Sequence, residues 1–285
     1  MNDGQYKKKL DDLIAVCRKN LHSVDEDLLR HAPSLRVVGR LGVGLDNLDL
    51  PALRSRGVTV VAGGDASAIA VAEYTIAAML ALVRMLPAAD ASTKAGGWER
   101  QRFTGSELRG KALGLIGLGG VGMRVARRAA AFDMRLLAHD PARNPGDAEL
   151  TALGIALVSL DSLLSESDFV SIHVPLIEST RNLVDARALG LMRSTAYLIN
   201  SSRGGIVDEA ALAAALSSGR ITGAALDVRC SEPPGRDDPL AGLSNVLLTP
   251  HIAGLTQESQ DTISANVARD VIRVLGGELP KFGVA

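Results

Sequence analysis

The chain has 285 residues, of which 47% are hydrophobic and 22% charged, and this balance excludes an intrinsically disordered protein. Lysine and arginine total 31 against 32 aspartates and glutamates, without a basic block, so we expect neither a nucleic-acid nor a membrane partner. The two cysteines, Cys17 and Cys230, have no metal-like or redox-like spacing. We therefore expect no metal site, no disulfide framework and a cytoplasmic location.

The first part of the chain contains three short apolar runs, at 13–16, 35–39 and 58–61, that read as strands. The polar N-terminus before them lacks the apolar core of a signal peptide. A longer apolar stretch follows at 66–83, but it contains Glu73 and is rich in alanine. These features favour a buried helix over a membrane span, and the small side chains suit close helix packing across a subunit interface.

From residue 112 onward, short apolar runs alternate with helical patterns, which predicts a doubly wound α/β layer with a parallel sheet. The predicted strands are 112–116, 135–138, 155–158, 169–172, 196–199, 224–228 and 246–248. Helices are predicted at 121–132 and at 210–216, the second with Asp208 as its cap. The pattern at 256–275 predicts one amphipathic helix with no strand after it. We expect that helix to return to the first lobe, so residues 1–85 plus 260–285 form one domain and 86–259 the other.

A glycine motif follows the strand at 112–116 and opens the next helix. Its residues are Gly117, Gly119, Gly120, Val121 and Gly122. Glycines at these positions allow a tight turn, close approach of a pyrophosphate and helix-on-strand packing. Asp140 ends the second strand, near the offset of about 20 residues expected for a ribose-binding acid. The pattern predicts an NAD site, in which Asp140 favours NAD over NADP and Arg143 weakens that preference only slightly. The alternative is that the glycines only form a structural turn.

Three further polar residues follow the predicted ends of neighbouring strands: Arg203, Glu232 and His251. Ligands bind beyond the carboxyl ends of parallel strands, so we expect the three to converge. His251 would act as general acid and base, Glu232 would fix its tautomer, and Arg203 would bind a carboxylate through its planar fork. Taken singly, each has an ordinary alternative: a surface histidine, a solvated glutamate, or an arginine bonded to loop carbonyls. His173, before Pro175, could line the nicotinamide pocket.

At this point the motifs resemble those of the D-isomer-specific 2-hydroxyacid dehydrogenases over nearly the whole chain. The matching segments are 39–47, 71–73, 110–122, 173–175, 200–208, 224–228, 232–233 and 249–252. The resemblance implies two Rossmann-like lobes, a doubly wound cofactor lobe at 86–259 and a smaller substrate lobe, in a homodimer built around 66–83. It also implies NAD as cofactor and a small 2-hydroxy or 2-oxo acid as substrate.

The resemblance assigns catalysis to Arg203, Glu232 and His251. It implies that Asp227 contacts the nicotinamide carboxamide and that backbone amides of Val43 and Gly44 help to hold the substrate carboxylate. Further residues implied at the cofactor or substrate are His173, Pro175, Ser202, Arg203 and His251.

Two departures from the family pattern stand out. The substrate lobe is expected to be shortened, without its first strand and helix, and position 229 is Arg where Phe is common. The substrate could be D-3-phosphoglycerate, glyoxylate, hydroxypyruvate or a sulfonated acid such as sulfolactate; Arg18, Lys19 and Arg40 favour a dianionic acid. A non-catalytic regulatory module that only binds NAD is the alternative of another class, and the intact catalytic set disfavours it.

Overall fold

The computed structural model describes residues 15–18, 24–45 and 48–284, with 15–18 described by their backbone. Contacts divide the described residues into two compact units. Unit 1 comprises the residues up to Ser67 together with those from Leu255 onward, and unit 2 comprises Ala68–Gly254. Each unit contains its own sheet.

The strands are, in chain order, β1 (Ala15–Arg18), β2 (Val37–Arg40), β3 (Thr59–Val61), β4 (Ala112–Ile116), β5 (Arg135–His139), β6 (Ala156–Leu157), β7 (Phe169–Ile172), β8 (Tyr197–Asn200), β9 (Gly223–Leu226), β10 (Val246–Leu248) and β11 (Gly283–Val284). The α-helices are α1 (Glu26–Arg30), α2 (Leu50–Ser55), α3 (Ala68–Val83), α4 (Leu86–Lys94), α5 (Gly120–Ala130), α6 (Ala148–Ala152), α7 (Leu160–Glu166), α8 (Ala186–Leu191), α9 (Glu209–Ser217) and α10 (Gln257–Leu275). Short 3-10 helices lie at Arg100–Phe103 and Glu178–Thr180.

Unit 1 is built on a four-stranded sheet with the order β1-β2-β3-β11. The first three strands are parallel, whereas β11 runs antiparallel to β3. The amphipathic helix α10 packs Ile263 and Val267 against β2 and β3. The buried carboxylate of Asp270 accepts hydrogen bonds from the backbone N–H groups of Lys281 (3.0 Å) and Phe282 (2.6 Å), which brings β11 to the sheet. The expectation of no strand after the last helix was therefore wrong.

Unit 2 contains a seven-stranded sheet with the order β10-β9-β8-β7-β4-β5-β6, in which every pair is parallel. The predicted doubly wound α/β fold is confirmed. Strands β4, β7 and β9 are buried along their whole length, as expected for largely apolar sequences when helices cover both faces. The strand order reverses between β4 and β7, and such a switch point is where open parallel sheets bind ligands.

The long helix α3 packs with unit 2, whereas the sequence analysis placed it in the first lobe by dividing the chain at residue 85. Its Ala72, Ile76 and Met79 belong to the same buried cluster as Val125 and Ala129 of α5. The small side chains let the two helices approach closely. Among the described residues, no single helix is both long and apolar enough to cross a bilayer; α3 and α4 pass that test only together, bent by 59°.

Candidate active site

The predicted glycine motif forms a tight turn between β4 and α5, which we call the glycine turn (residues 117–122). Gly117 has a φ of 95°, a conformation that favours glycine. A Cβ on Gly117 would lie 2.9 Å from the carbonyl oxygen of His173, and one on Gly122 would overlap the carbonyl of Gly117. Two of the glycines are thus required by backbone packing alone.

The remaining glycines leave room for a ligand. Gly119 caps α5, and both Gly119 and Gly120 are exposed. A Cβ on Gly119 would meet no described atom within 4 Å, so the absence of a side chain there is not explained by packing within the protein. Open space over the N-terminus of a helix is the setting in which backbone amides bind phosphate groups. These residues fit the pyrophosphate of a dinucleotide.

Asp140 lies directly after β5, beside the glycine turn. Its carboxylate accepts hydrogen bonds from the backbone N–H of Leu118 (2.7 Å) and of Ala142 (2.9 Å). Arg143 lies at the same turn, where its guanidinium donates to the carbonyl of Leu118 (3.0 Å) and to Asp147 (2.6 Å). The acid predicted to bind the ribose is therefore fixed next to the proposed pyrophosphate position, and Arg143 is held by its own partners.

His173 follows β7 across the switch point from the glycine turn. Its Nε2 lies 2.9 Å from the hydroxyl of Ser171, and burial lowers the pKa of the imidazole from 6.5 to about 4. The ring is therefore neutral at physiological pH. The hydroxyl of Ser202 donates to the carbonyl of Val174, which ties the end of β8 to this segment. Pro175 is exposed, and the cofactor contacts predicted for these residues remain predictions.

Asp227 directly follows β9 and is almost fully buried. Its carboxylate accepts three hydrogen bonds: from the Thr249 hydroxyl (2.6 Å), from Ile252 N–H (2.8 Å) and from Ala253 N–H (2.8 Å). Thr249 donates its single hydroxyl proton to this carboxylate, so the Tyr74 hydroxyl, 2.6 Å away, must donate to Thr249. Sequence reasoning missed this role of Asp227 and missed Tyr74 altogether, because their partners lie far away along the chain.

His251 lies at the centre of the turn that Asp227 holds. Its backbone is left-handed, with a φ of 54°, and its N–H donates to the carbonyl of Asp227 (2.8 Å). Its Nδ1 lies 2.7 Å from Oε2 of Glu232. An ionised carboxylate can only accept, so Nδ1 donates and Nε2 is left for another partner. Both side chains are about 40% exposed, 41% for His251 and 40% for Glu232, which leaves the pair accessible to a small molecule.

Arg203 lies at the end of β8, the neighbour of β9. Its carbonyl accepts from the side-chain amide of Asn200 (2.9 Å), and its guanidinium donates to the Ser202 carbonyl (2.7 Å). The next residue, Gly204, lies so close to the carbonyl of Arg229 that a Cβ would overlap it. The structure thus brings Glu232 and His251 into direct contact and places the Arg203 segment against the loop that carries Glu232. The catalytic roles of the three residues remain predictions.

The predicted substrate-binding residues Val43 and Gly44 lie in unit 1, in the loop after β2. Val43 is exposed, and the loop is held by a hydrogen bond from Gly63 N–H to the Gly42 carbonyl (2.9 Å). The buried guanidinium of Arg40 packs so closely against Gly42 that a Cβ there would overlap it. The side chain of Arg18 and all of Lys19, predicted with Arg40 to favour a dianionic substrate, lie outside the described residues.

Comparisons with known proteins identify the family to which the chain belongs. The family model described as "D-isomer specific 2-hydroxyacid dehydrogenase, NAD binding domain" matches residues 76–253. Among curated proteins, D-3-phosphoglycerate dehydrogenase of Archaeoglobus fulgidus is 43% identical over 263 residues, covering 92% of this chain and 50% of its own length. The corresponding Mycobacterium tuberculosis protein is 43% identical over 280 residues, with 97% and 52% covered. The chain thus spans about half the length of the curated relatives it matches.

Among solved structures, D-lactate dehydrogenase with NAD+ from Lactobacillus jensenii superimposes with a TM-score of 0.83 at 29% identity, covering 99% of this chain and 89% of that one. The glycine turn and the acid that follows β5 fit the cofactor of the matched domain. The chain belongs to the D-isomer-specific 2-hydroxyacid dehydrogenase family, and its second unit contains that family's NAD-binding domain.

Proposed function

We propose that this protein is an NAD-dependent oxidoreductase that interconverts a small 2-hydroxy acid and its 2-oxo acid. The observation that carries the proposal is the 2.7 Å hydrogen bond between His251 Nδ1 and Glu232, at the edge of the sheet that carries the glycine turn. The names of the relatives, D-3-phosphoglycerate dehydrogenase and D-lactate dehydrogenase, support the same class of reaction.

In this proposal His251 transfers the proton. Its Nδ1–H stays bonded to Glu232, so during reduction the doubly protonated ring donates its Nε2 proton to the 2-oxo oxygen and is left neutral, and during oxidation the neutral ring accepts the 2-hydroxyl proton at Nε2. Glu232 keeps the proton on Nδ1 and the ring in one orientation throughout. The glycine turn and Asp140 would hold NAD, which would provide the redox chemistry: the oxidised form would take up the hydride of carbon 2 and the reduced form would return it. Arg203 binds the carboxylate of the substrate, since a planar guanidinium matches its two oxygens.

We propose a dianionic acid of the D-3-phosphoglycerate type as the substrate. Curated relatives with that name are 43% identical to this chain. Arg18, Lys19 and Arg40 are the basic residues of the first lobe that favour a second anionic group on the substrate.

The test is oxidation of NADH with a panel of 2-oxo acids: 3-phosphohydroxypyruvate, hydroxypyruvate, glyoxylate and 3-sulfopyruvate. We expect turnover to be fastest with a dianionic acid, and we expect His251→Gln to lower kcat by about 10²- to 10⁴-fold, the usual contribution of general acid–base catalysis. His31→Gln is the matched control, because that histidine lies in unit 1 and bonds a helix carbonyl, the Asp27 oxygen (2.8 Å).

The outcomes separate the alternatives. Equal rates for the wild-type protein and His251→Gln would remove His251 from its role. NADH binding without turnover of any acid would favour a regulatory module, and a preference for glyoxylate over every dianion would exclude the proposed substrate class.

We also propose a cytoplasmic homodimer. Ile69 and Leu86 are each 53% exposed and Trp98 is 79% exposed, and large apolar side chains on the surface of α3, α4 and the segment after them favour contact with a second copy. Sedimentation should give a dimer for the wild-type protein and a monomer for Trp98→Lys. Ile177→Lys is the control, since Ile177, on another segment, is as exposed as Ile69 and Leu86 (53%); an unchanged dimer in Trp98→Lys would contradict the proposed surface.

A further inference from the structure

The side chain of Arg229 is surrounded by acids. The side chain is only 8% exposed. Its two terminal nitrogens donate to the two carboxylate oxygens of Asp238, at 2.6 and 2.7 Å, and Nη2 also donates to Glu209 at 2.8 Å. We call Arg229, Glu209 and Asp238 the anchor cluster. Its bonds join the loop after β9 to the first turn of α9 and to the segment before β10.

Charges within the anchor cluster stabilise one another. Hydrogen bonds from Arg229 lower the pKa of Asp238, and the bonds to Asp238 in turn raise the pKa of Arg229. Burial raises the pKa of Glu209, but hydrogen bonds from Arg229 and Cys230 outweigh it, so the pKa is lowered overall. All three groups therefore remain charged at neutral pH. Removing the cation would leave two carboxylates facing one another with little solvent, a costly arrangement.

The backbone of Arg229 reaches the predicted catalytic residues on two sides. Its N–H donates to Oε1 of Glu232 at 3.0 Å, while Oε2 of the same carboxylate accepts from His251 at 2.7 Å. Its carbonyl oxygen lies against Gly204, the residue after Arg203. The next amide, Cys230 N–H, donates to Glu209 at 2.6 Å. Arg229 is therefore fixed by its side chain and its backbone at once, and Cys230 by its backbone.

We propose that Arg229 is a positioning residue: the anchor cluster holds the backbone N–H of Arg229 where it orients Glu232 toward His251. This inference rests on the proposed function, because it assigns Arg229 an effect on catalysis through the acid–base pair. In this role Arg229 acts through Glu232, to which its backbone N–H donates. A well-anchored amide restricts Glu232 to the rotamer in which one oxygen faces the imidazole, and preorganisation of this kind increases the rate of proton transfer.

A double-mutant cycle separates this role from a merely structural one. We expect Arg229→Met to lower kcat about 10- to 100-fold while the KM for NADH changes less than about 3-fold. In a Glu232→Gln background, Arg229→Met should lower kcat by less than about a further 3-fold, because its effect on catalysis passes through the Glu232 carboxylate, which this background lacks. The same loss in both backgrounds, or no loss in either, would overturn the proposal. Arg193→Met, which removes a more exposed pair with Asp168 (3.2 Å), is the control and should leave kcat unchanged.

A second readout does not depend on turnover. Nitrogen-15 NMR of the NADH-bound protein, recorded at a pH where the His251 ring is neutral and with its signals assigned by His251→Gln, should show the Nδ1–H tautomer in the wild-type protein. In Arg229→Met we expect a mixture of tautomers, and an unchanged Nδ1–H signal would overturn the proposal even if no substrate were turned over. Should no 2-oxo acid react at all, the proposed function fails while this measurement still decides the role of Arg229.

Asp238→Asn is the milder variant if Arg229→Met does not fold. It keeps the arginine and weakens its anchor, and we expect it to shift the tautomer in the same direction by a smaller amount. Arg229→Lys should restore only part of kcat, because lysine keeps the charge but cannot bind Asp238 through two nitrogens. Full activity in Arg229→Lys together with unchanged tautomers in Asp238→Asn would contradict the anchoring role.

Discussion

The glycine turn and the loop at residues 227–238 follow strands of the same parallel sheet, but different forces hold them in place. The turn depends on backbone shape: a positive φ at Gly117 and close backbone contacts at Gly117 and Gly122. The loop depends on charged side chains, through the carboxylate of Asp227 and the anchor cluster. We infer that a site for a constant ligand, pyrophosphate, can be built from main chain, whereas the site proposed for proton transfer depends on charged side chains that hold its loop in place.

The largest expected effect comes from the backbone-held region. In Gly122→Ala the new Cβ would overlap the Gly117 carbonyl, so we expect the free energy of unfolding to fall by about 3 kcal/mol and NADH binding to weaken at least about 10-fold. Gly119→Ala is the matched control for packing, since its Cβ would meet no described atom. It should weaken NADH binding with little change in stability, measured by fluorescence titration and urea unfolding. Equal stability losses in the two variants would contradict the distinction between them.

The next effect tests the side-chain-held region. Asp227→Asn replaces an acceptor of three hydrogen bonds by a group that can accept at only one atom, so we expect the free energy of unfolding to fall by about 2 kcal/mol. We also expect kcat to fall about 10²-fold as the His251 turn loosens. Asp237→Asn, at an exposed position of the same loop, is the control. Wild-type stability in Asp227→Asn would show that the turn is held by other contacts.

The next prediction concerns His173, beside the glycine turn, whose protonation should make the free energy of unfolding depend on pH. The pKa of His173 is about 4 in the folded protein, against 6.5 for the free imidazole. Between these two pH values the unfolded state therefore binds more protons than the folded state. The stability that the neutral imidazole contributes above pH 6.5 is lost as the pH falls toward 4. Between pH 7 and 5 we expect the wild-type protein to lose up to about 2 kcal/mol more than His173→Asn. Urea unfolding without cofactor at both pH values measures this difference. If the wild-type protein and His173→Asn lost the same free energy of unfolding between pH 7 and 5, the neutral imidazole would not be required for stability.

The smallest expected effect concerns Tyr74. Its hydroxyl donates to Thr249, which donates to Asp227, so Tyr74→Phe should lower the free energy of unfolding by about 1 kcal/mol. Thr249→Val removes the bonds of Thr249 to both Tyr74 and Asp227 and should lower the free energy of unfolding further. Because the two residues act through one chain of hydrogen bonds, the double variant should be no less stable than Thr249→Val alone. Additive losses in urea unfolding would show that Tyr74 acts independently of the His251 turn.

Sequence reasoning was most successful where the determining forces are local. The buried strands of unit 2 are continuous apolar runs, and the glycine motif follows β4 directly, so both could be predicted from short windows of residues. The capping of α9 by Asp208 was predicted in the same way and is confirmed by its bonds to the N–H groups of Ala210 and Ala211 (both 3.0 Å). The proximity of Glu232 and His251 followed from a topological rule, that parallel strands end at one edge.

Contacts between distant parts of the chain decided the rest. The sequence marked Arg229 as unusual, but only the fold brings Glu209 and Asp238 to its guanidinium. Likewise, β11 is two residues long and has no pattern of its own; it pairs with β3 because the buried Asp270 binds the backbone before it. Helix α3 could be predicted as a helix, yet its place in unit 2 depends on which neighbour its small side chains fit. Periodicity and backbone conformation are properties of consecutive residues, whereas ion pairs and packing depend on the folded chain.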